Sequence, residues 1–331
     1  MTKRVALTST RIFSLFSGER AGTTLPSLIR NLLAEQKRNW RELSIGYAAL
    51  SQVRSRDLVC NGFVAALQFN PRRMVSTAAD VSADAIRRRP CFLCIENLPE
   101  AQKGILYHDR FLILCNPAPI FPEHLTISST KHEPQSILLE IATLLDLAED
   151  LSPDYVLYYN GPRCGASAPD HLHFQAGPAG NTPVERDAEK RREVVGKSNG
   201  VDFGILKSYG RSVLAVESES KEAMTRFFSL FVKRWQESLG TNDEPMMNLL
   251  CGFHGKNWRL IIFPRSKHRP DAYNREGESR VLISPAAIDM AGILITPVEK
   301  DFLHVDAQTV EGIFHEVSVP EGTLLQLLAR F

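Results

Sequence analysis

Residues 171–176 alternate polar and apolar positions: His171, Leu172, His173, Phe174, Gln175 and Ala176. Successive side chains of a β-strand point to opposite faces, so this period of two predicts a strand. Leu172, Phe174 and Ala176 would line one face and can join a core. Two imidazoles and an amide would line the other, with no evident structural purpose. A glycine-containing run precedes the strand and "AGP" follows it, which places it at the mouth of a loop, where functional groups concentrate. Elsewhere the period changes. Residues 24–53 carry Leu28, Ile29, Leu32 and Leu33 on one stripe and predict a helix. "LVCNGFVAALQFNPRRM" predicts a strand ending in a Pro-Arg-Arg turn, and the polar residues 76–90 predict a loop.

From there one order of elements occurs twice. "KGILYHDRFLILCNPAPIFPEHLTISSTKH" predicts two or three strands. "EPQSILLEIATLLDLAEDL" predicts an amphipathic helix with Pro134 in its first turn. "DYVLYYNGPRCGASAPDHLHFQAGP" then predicts strand, glycine loop, strand. From about residue 202, "DFGILKSYGRSVLAVES" predicts a hairpin around Tyr209-Gly210, and the next segment a helix stopped by Gly240. "PMMNLLCGFHGKNWRLIIFPRSKHRP" again predicts strand, turn, strand. The expectation is an α+β protein built on a duplicated unit. Residues 1–75 would be an N-terminal helix-and-strand extension, 76–200 the first half with the histidine strand, and 201–331 a second half without it.

With 331 residues, 44% of them hydrophobic, the chain can bury two ordinary cores or one large one. A net charge of +1 gives bulk electrostatics no reason to hold nucleic acid or a membrane surface, so a phosphate-bearing partner must be met by local basic residues. No run of eighteen apolar residues occurs, and Ser, Thr and Arg interrupt the N-terminal stretch, so the expected location is cytoplasmic. The cysteines (60, 91, 94, 115, 164 and 251) are too sparse for a disulfide scaffold, which leaves reduced thiols or metal ligands.

Three polar groups turned the same way need partners or water. Either both imidazoles bind one metal, as His-x-His on a strand can, or one is a nucleophile or base while its neighbour is a structural ligand that holds the strand. Cys91 and Cys94 in "RRPCFLCIENLPE" form a Cys-x-x-Cys. A redox pair of this spacing usually begins a helix after a strand in a βαβ setting, which does not follow here. Two thiolates need two more ligands for a closed tetrahedral site. His132, at the junction "SSTKHEPQ", with one of the strand histidines completes Cys2His2, and His124 is the substitute candidate.

His-x-His-x-Gln after a Gly-x-Ser loop, with Cys-x-x-Cys upstream, resembles the histidine-triad (HIT-like) superfamily. More narrowly it is similar to the nucleotidyltransferase and phosphorylase branch: galactose-1-phosphate uridylyltransferase, diadenosine tetraphosphate phosphorylase and the GDP-hexose phosphorylases. "DHLHFQ" and "NGFVAALQFNPRR" look most like the last of these. "CGASAPDH" resembles a loop of the diadenosine enzymes with Asp170 added, and "IDMAGILITP" a late strand of the branch. The resemblance implies duplicated HIT-like units, an antiparallel sheet with packed helices. It implies that His173 attacks the α-phosphorus of a nucleotide and becomes a nucleotidyl-histidine. Gln175 would then bond a nonbridging phosphate oxygen, Ser167 contact the leaving phosphate, and Asn160 help orient the histidine loop. By the same resemblance Cys91, Cys94, His132 and His171 would hold a structural zinc ion.

A covalent intermediate divides one difficult transfer into two in-line steps. An amide at 175 is neither acid nor base near neutral pH, which suits an acceptor that is already an anion. Arg72, Arg73 and Arg163 flank the matched motifs and are expected to meet phosphates. Arg259, Arg265 and Lys267 are further candidates, although "PRSKHRP" at 264–270 is expected as an exposed loop. Gly161 and Gly165 let backbone N–H groups approach an anion. The expected activity is phosphorolysis of an NDP-hexose or a dinucleoside polyphosphate, with inorganic phosphate as co-substrate and a homodimer allowed. The alternatives are a hexose-1-phosphate uridylyltransferase, a noncatalytic zinc-stabilised nucleotide-binding protein, and hydrolysis by a zinc ion held on both histidines.

Overall fold

The computed structural model describes residues 9–18, 22–329 and 331. β1 (Ile12–Phe16) is followed by helices Leu25–Asn39 and Arg41–Ala48, then by β2 (Arg54–Cys60) and β3 (Phe63–Phe69). The first unit comprises β4 (Gly104–Tyr107), β5 (Phe111–Cys115), β6 (Leu125–Ser129), helix Ile141–Asp150, β7 (Tyr155–Asn160) and β8 (His173–Pro178). The second repeats the order: β9 (Glu193–Ser198), β10 (Val201–Ile205), β11 (Leu214–Ser218), helix Lys221–Leu239, β12 (Met247–His254) and β13 (Asn257–Pro264). β14 (Ile293–Thr296) and three helices between Glu299 and Leu328 complete the chain.

The duplication is visible in the sheet order β1-β4-β5-β6-β8-β7-β12-β13-β11-β10-β9. Read from its outer edge inward, the first unit runs hairpin, third strand, last strand, fourth strand, and the second runs the same way from the opposite edge. They meet where β7 pairs antiparallel with β12, Asn160 opposite Asn248. The sheet is antiparallel except for β1, which lies parallel to β4 at the edge. One face is covered by helices Leu25–Asn39, Ile141–Asp150 and Lys221–Leu239, and there Leu172, Phe174 and Ala176 are buried with Leu249 and Ile262. The other face packs Val156, Tyr158, Leu250 and Phe263 against the small sheet β14-β3-β2 and the C-terminal helices. The alternation at 171–176 therefore separates faces as predicted: apolar residues enter the first core, and His173 and Gln175 project from the second face.

Several elements differ from expectation, each for a tertiary reason. The helix over 24–53 breaks at Trp40, whose extended backbone (φ −123°, ψ 100°) ends one helix and starts the next while its indole is buried. "LVCNGFVAALQF" is a hairpin rather than one strand. Gly62 at the turn has φ +86°, and a β-carbon there would lie 2.1 Å from the Ser208 carbonyl oxygen, so only glycine fits. Part of the expected loop at 76–90 is the short helix Ala83–Arg88, capped by Ser82. The helix expected from residue 133 begins only at Ile141, so Pro134 is not in its first turn. Residues 135–137 are held outside the helix by side-chain bonds described below. β8 starts at His173, which leaves His171 in the preceding turn, and β9 was not anticipated.

Candidate active site

Gln135 organises the start of β8. Its Oε1 accepts the His173 backbone N–H at 2.7 Å, and its Nε2 donates to the carbonyls of His173 (3.0 Å) and Asn160 (2.9 Å). One buried amide thus stands in for a peptide unit between the ends of β7 and β8. Glu244 of the second unit accepts the N–H of Ile137 (2.8 Å) and the hydroxyl of Ser136 (3.0 Å), which keeps this segment out of a helix. Replacing Gln135 with alanine leaves up to three buried backbone groups unpaired. A loss of about 2–4 kcal/mol is expected, read as a lowered denaturant midpoint at unchanged slope.

His173 is buried, and its Nδ1 lies 2.8 Å from the His171 carbonyl oxygen. An imidazole nitrogen facing a carbonyl must donate, so Nδ1 carries the proton and Nε2 carries the lone pair. Burial pushes this imidazole down to about 4, so it is neutral near pH 7. Among the described residues Nε2 has no hydrogen-bond partner, and His173 lines a cavity of about 620 Å³. That volume lies in the range of small-ligand sites. Trp40, Phe92, Leu98 and Leu114 form apolar wall, and Arg72, Arg73, Ser167 and Gln175 also line it.

Gln175 faces Thr126 across the β6–β8 pairing. His124, which is fully buried, sets the direction of its amide. The Ile120 N–H donates to His124 Nδ1 (3.1 Å), so His124 Nε2–H donates to Gln175 Oε1 at 2.9 Å. The NH2 end of Gln175 is left as the donor on offer. His124 is therefore an orienting residue, and the expectation that it substitutes as a metal ligand is wrong. Neither His124 nor Gln135 carried a sequence signal for these roles, because their partners are 51 and 38 residues away.

Cys91, Cys94, His132 and His171 come together beside this strand, their ligand atoms all within 4.8 Å of one another. Cys91 Sγ lies 3.3 Å from His171 Nδ1, and Cys94 Sγ lies 3.3 Å from His132 Nδ1 and 3.6 Å from His171 Nδ1. Zinc bonds of about 2.3 Å to sulfur and 2.0–2.1 Å to nitrogen give tetrahedron edges of about 3.5 Å, which matches these separations. His171 Nε2 is engaged by the Ser129 carbonyl at 2.8 Å, leaving Nδ1 turned to the cluster. The donor set thus fits a tetrahedral metal ion. Burial pushes both thiols up, but the neighbouring His171 imidazole brings Cys91 below its ordinary value, while the Cys91 charge drives Cys94 further upward. A cation would stabilise both thiolates at once. His173 is outside the quartet, so the two histidines do not share one metal.

The remaining expected residues divide. Ser167 lines the large cavity and an adjoining smaller one, and Asn160 and Gly165 line the smaller. Gly165 has φ +102°, and a β-carbon there would meet that of Ala286 at 2.8 Å. Asn160 Oδ1 accepts from Asn248 Nδ2 (3.0 Å) and the Ala287 N–H (2.7 Å), tying the histidine loop to the second unit. Arg73 lines both cavities while Nη1 donates to the Ala118 carbonyl at 2.8 Å. Arg163 is a correction: it donates to the Glu244 carbonyl, is exposed, and lines neither cavity. Gly161 is another, because its N–H pairs with the Met247 carbonyl rather than facing an anion. Arg259 pairs with Glu217, and Lys267 with Asp271 and Glu316. The "PRSKHRP" segment is no simple exposed loop, since Arg265 is buried and His268 and Arg269 line the smaller cavity.

Burial pushes His124 down to about 3 and His268 to about 4, from an ordinary value of 6.5. Between those values the unfolded chain binds protons that the folded chain refuses, so stability falls as pH drops below about 6.5. For His124 the slope approaches about 1.4 kcal/mol per pH unit. Denaturant midpoints measured from pH 7 to 5 are expected to fall, and His124→Gln to flatten the decline.

Comparison with known proteins agrees with this architecture. Residues 32–178 match the family described as "Domain of unknown function (DUF4922)", and residues 183–327 match the "GDPGP1-like, C-terminal domain". No sequence among curated proteins matches the chain. The yeast Ap4A phosphorylase Apa2 in complex with Ap4A superposes with a TM-score of 0.57 at 14% identity, over 88% of this chain and 98% of that one. Its complex with AMP gives 0.55 at 14% identity, over 86% and 97%. At that identity the likeness is one of fold. With two repeated α+β units in one sheet and the histidine strand beside their seam, the chain shares the fold of that phosphorylase. Its first half is similar to the DUF4922 domain and its second half to the GDPGP1-like C-terminal domain.

Proposed function

We propose that the protein is a phosphorylase-type nucleotidyltransferase that acts on an NDP-hexose or a dinucleoside polyphosphate through a covalent nucleotidyl-His173. The observation that carries this reading is the posture of one imidazole: neutral, donor nitrogen tied to a backbone carbonyl, lone pair facing a ligand-sized cavity. In the first step Nε2 attacks the α-phosphorus, the P–N bond forms, and the bridging P–O bond breaks with its electron pair leaving on the phosphate ester. The ring becomes an imidazolium whose Nδ1–H remains on the His171 carbonyl, which stabilises the new charge. In the second step an oxygen of inorganic phosphate attacks the same phosphorus and the P–N electron pair returns to Nε2. No proton has to be supplied, which accounts for an amide at 175 where a further histidine would be an acid. The Gln175 NH2, aimed by His124, and the Arg73 guanidinium are placed to meet nonbridging oxygens, with Arg72 and Ser167 nearby.

Zinc is the metal we assign to the Cys91, Cys94, His132 and His171 quartet, and it supplies structure rather than chemistry there. A closed four-ligand site has no open position for substrate. Bound there, it would fix His171, whose carbonyl sets the His173 ring. The cysteines, all free, fit a reducing, cytoplasmic setting, and among the described residues no helix is long and apolar enough to cross a membrane. Incubation with a panel of NDP-sugars and dinucleoside polyphosphates plus phosphate, read by mass spectrometry, tests the reading: an NDP and a residual phosphate ester should appear. Transfer only to a hexose 1-phosphate would establish a uridylyltransferase instead, and binding without turnover a sensor.

A further inference from the structure

We infer that the second unit supplies the acceptor subsite of this reaction, an anion chamber formed by His268, Arg269 and Ser284 with Arg73, and that its occupant is inorganic phosphate. The inference rests on the function proposed above and names its co-substrate site. The chamber adjoins the large cavity, and Arg73, Ser167 and Gln175 line both. His173 lines only the larger one. Gln175 and Ser167 therefore lie on the border of the two spaces, and in the proposed reaction an acceptor in the chamber would approach the bound phosphorus from the side away from the P–N bond. In-line displacement requires that direction.

Arg269 is held as a binding group is held. Its Nε donates to Ser284 Oγ at 3.0 Å, its Nη2 donates to the Ala79 carbonyl at 2.9 Å, and the guanidinium lies 4.2 Å over the Tyr273 ring. Among the described residues Nη1 has no hydrogen-bond partner. The loop carrying it is pinned from beneath by Arg265, which is buried and donates to the carbonyls of Lys267 (3.0 Å), His268 (2.9 Å) and Pro285 (2.8 Å). Asp289 also lines the chamber, but its carboxylate accepts the N–H groups of Ala286 (3.0 Å) and Ile295 (2.9 Å) and faces the charge of Arg73. Two guanidiniums against one such carboxylate leave the chamber net positive. Its volume of about 60 Å³ is enough for a phosphate ion, or for the phosphate end of the leaving ester that departs along the same line.

The test charges the protein with labelled nucleotide, removes free donor, and follows discharge against phosphate concentration. Arg269→Gln should still form the adduct, yet need at least about tenfold more phosphate for half-maximal discharge, the scale of one charge-assisted hydrogen bond. Arg269→Lys, which keeps the charge, should recover part of the loss, and it is read alone if the glutamine variant does not fold. A half-saturating concentration within about twofold of wild type overturns the inference while leaving the covalent reading intact. If the wild-type protein forms no adduct with any donor, the proposed function fails instead. Calorimetric titration of inorganic phosphate into the full chain then decides the subsite: weaker binding by Arg269→Gln sustains it, and equal binding refutes it.

Discussion

His173→Asn is expected to abolish turnover, with kcat falling by at least about 10⁴-fold, while nucleotide binding and the unfolding midpoint change little. Asparagine is chosen because its amide can still donate to the His171 carbonyl, which preserves the local backbone bond and removes only the nucleophilic nitrogen. Loss of a covalent nucleophile removes a whole reaction channel rather than one stabilising contact, so the effect should exceed that of any other single side chain in the cavity. Steady-state kinetics with the best donor of the panel would check it. Activity within about a hundredfold of wild type would mean that some other group attacks phosphorus.

The second large effect concerns the cysteine and histidine quartet. One metal ion per chain is expected by elemental analysis. Cys94→Ser or a strong chelator should remove it and lower the melting temperature by more than about 10 °C, because closed zinc sites contribute their binding free energy to folding. The reaction should slow as well, because His171, whose Nδ1 would hold the metal, is also the residue whose carbonyl receives the His173 Nδ1–H. Replacement of His132, the exposed ligand, should weaken binding of the metal less than replacement of buried Cys91 or His171. A protein that carries no metal, and melts identically with and without chelator, contradicts this part of the account.

What could be seen in the chain beforehand divides by range. The alternation through Leu172, Phe174 and Ala176 was legible because a strand's period of two is written in adjacent residues. The repeated unit was legible because each helix and hairpin carries its own pattern. The quartet could be nominated because cysteine and histidine donors are rare and Cys-x-x-Cys narrows the choice. The Asn61-Gly62 turn carries a hairpin signal, but it lies inside a run of apolar residues that reads as one continuous strand. Other features had no local signature. Gln135 reads as helix because its neighbours are helix formers, whereas its bonds to His173, Asn160 and Pro169, and those of Ser136 and Ile137 to Glu244, keep it out of one. Arg163 sits beside the motif in sequence and turns toward Glu244 in space, whereas Arg269, about a hundred residues away, reaches the chamber that Ser167 lines. Charge next to a motif is a poor guide where the second half of the molecule closes over the first.

The most direct measurement is the intact mass of the protein after incubation with donor in the absence of phosphate. One nucleoside monophosphate should be added per chain, labile to acid, mapped to His173 by peptide sequencing and discharged when phosphate is supplied. A mass that never changes while substrate is consumed, or an adduct that persists in His173→Asn, would contradict the covalent mechanism.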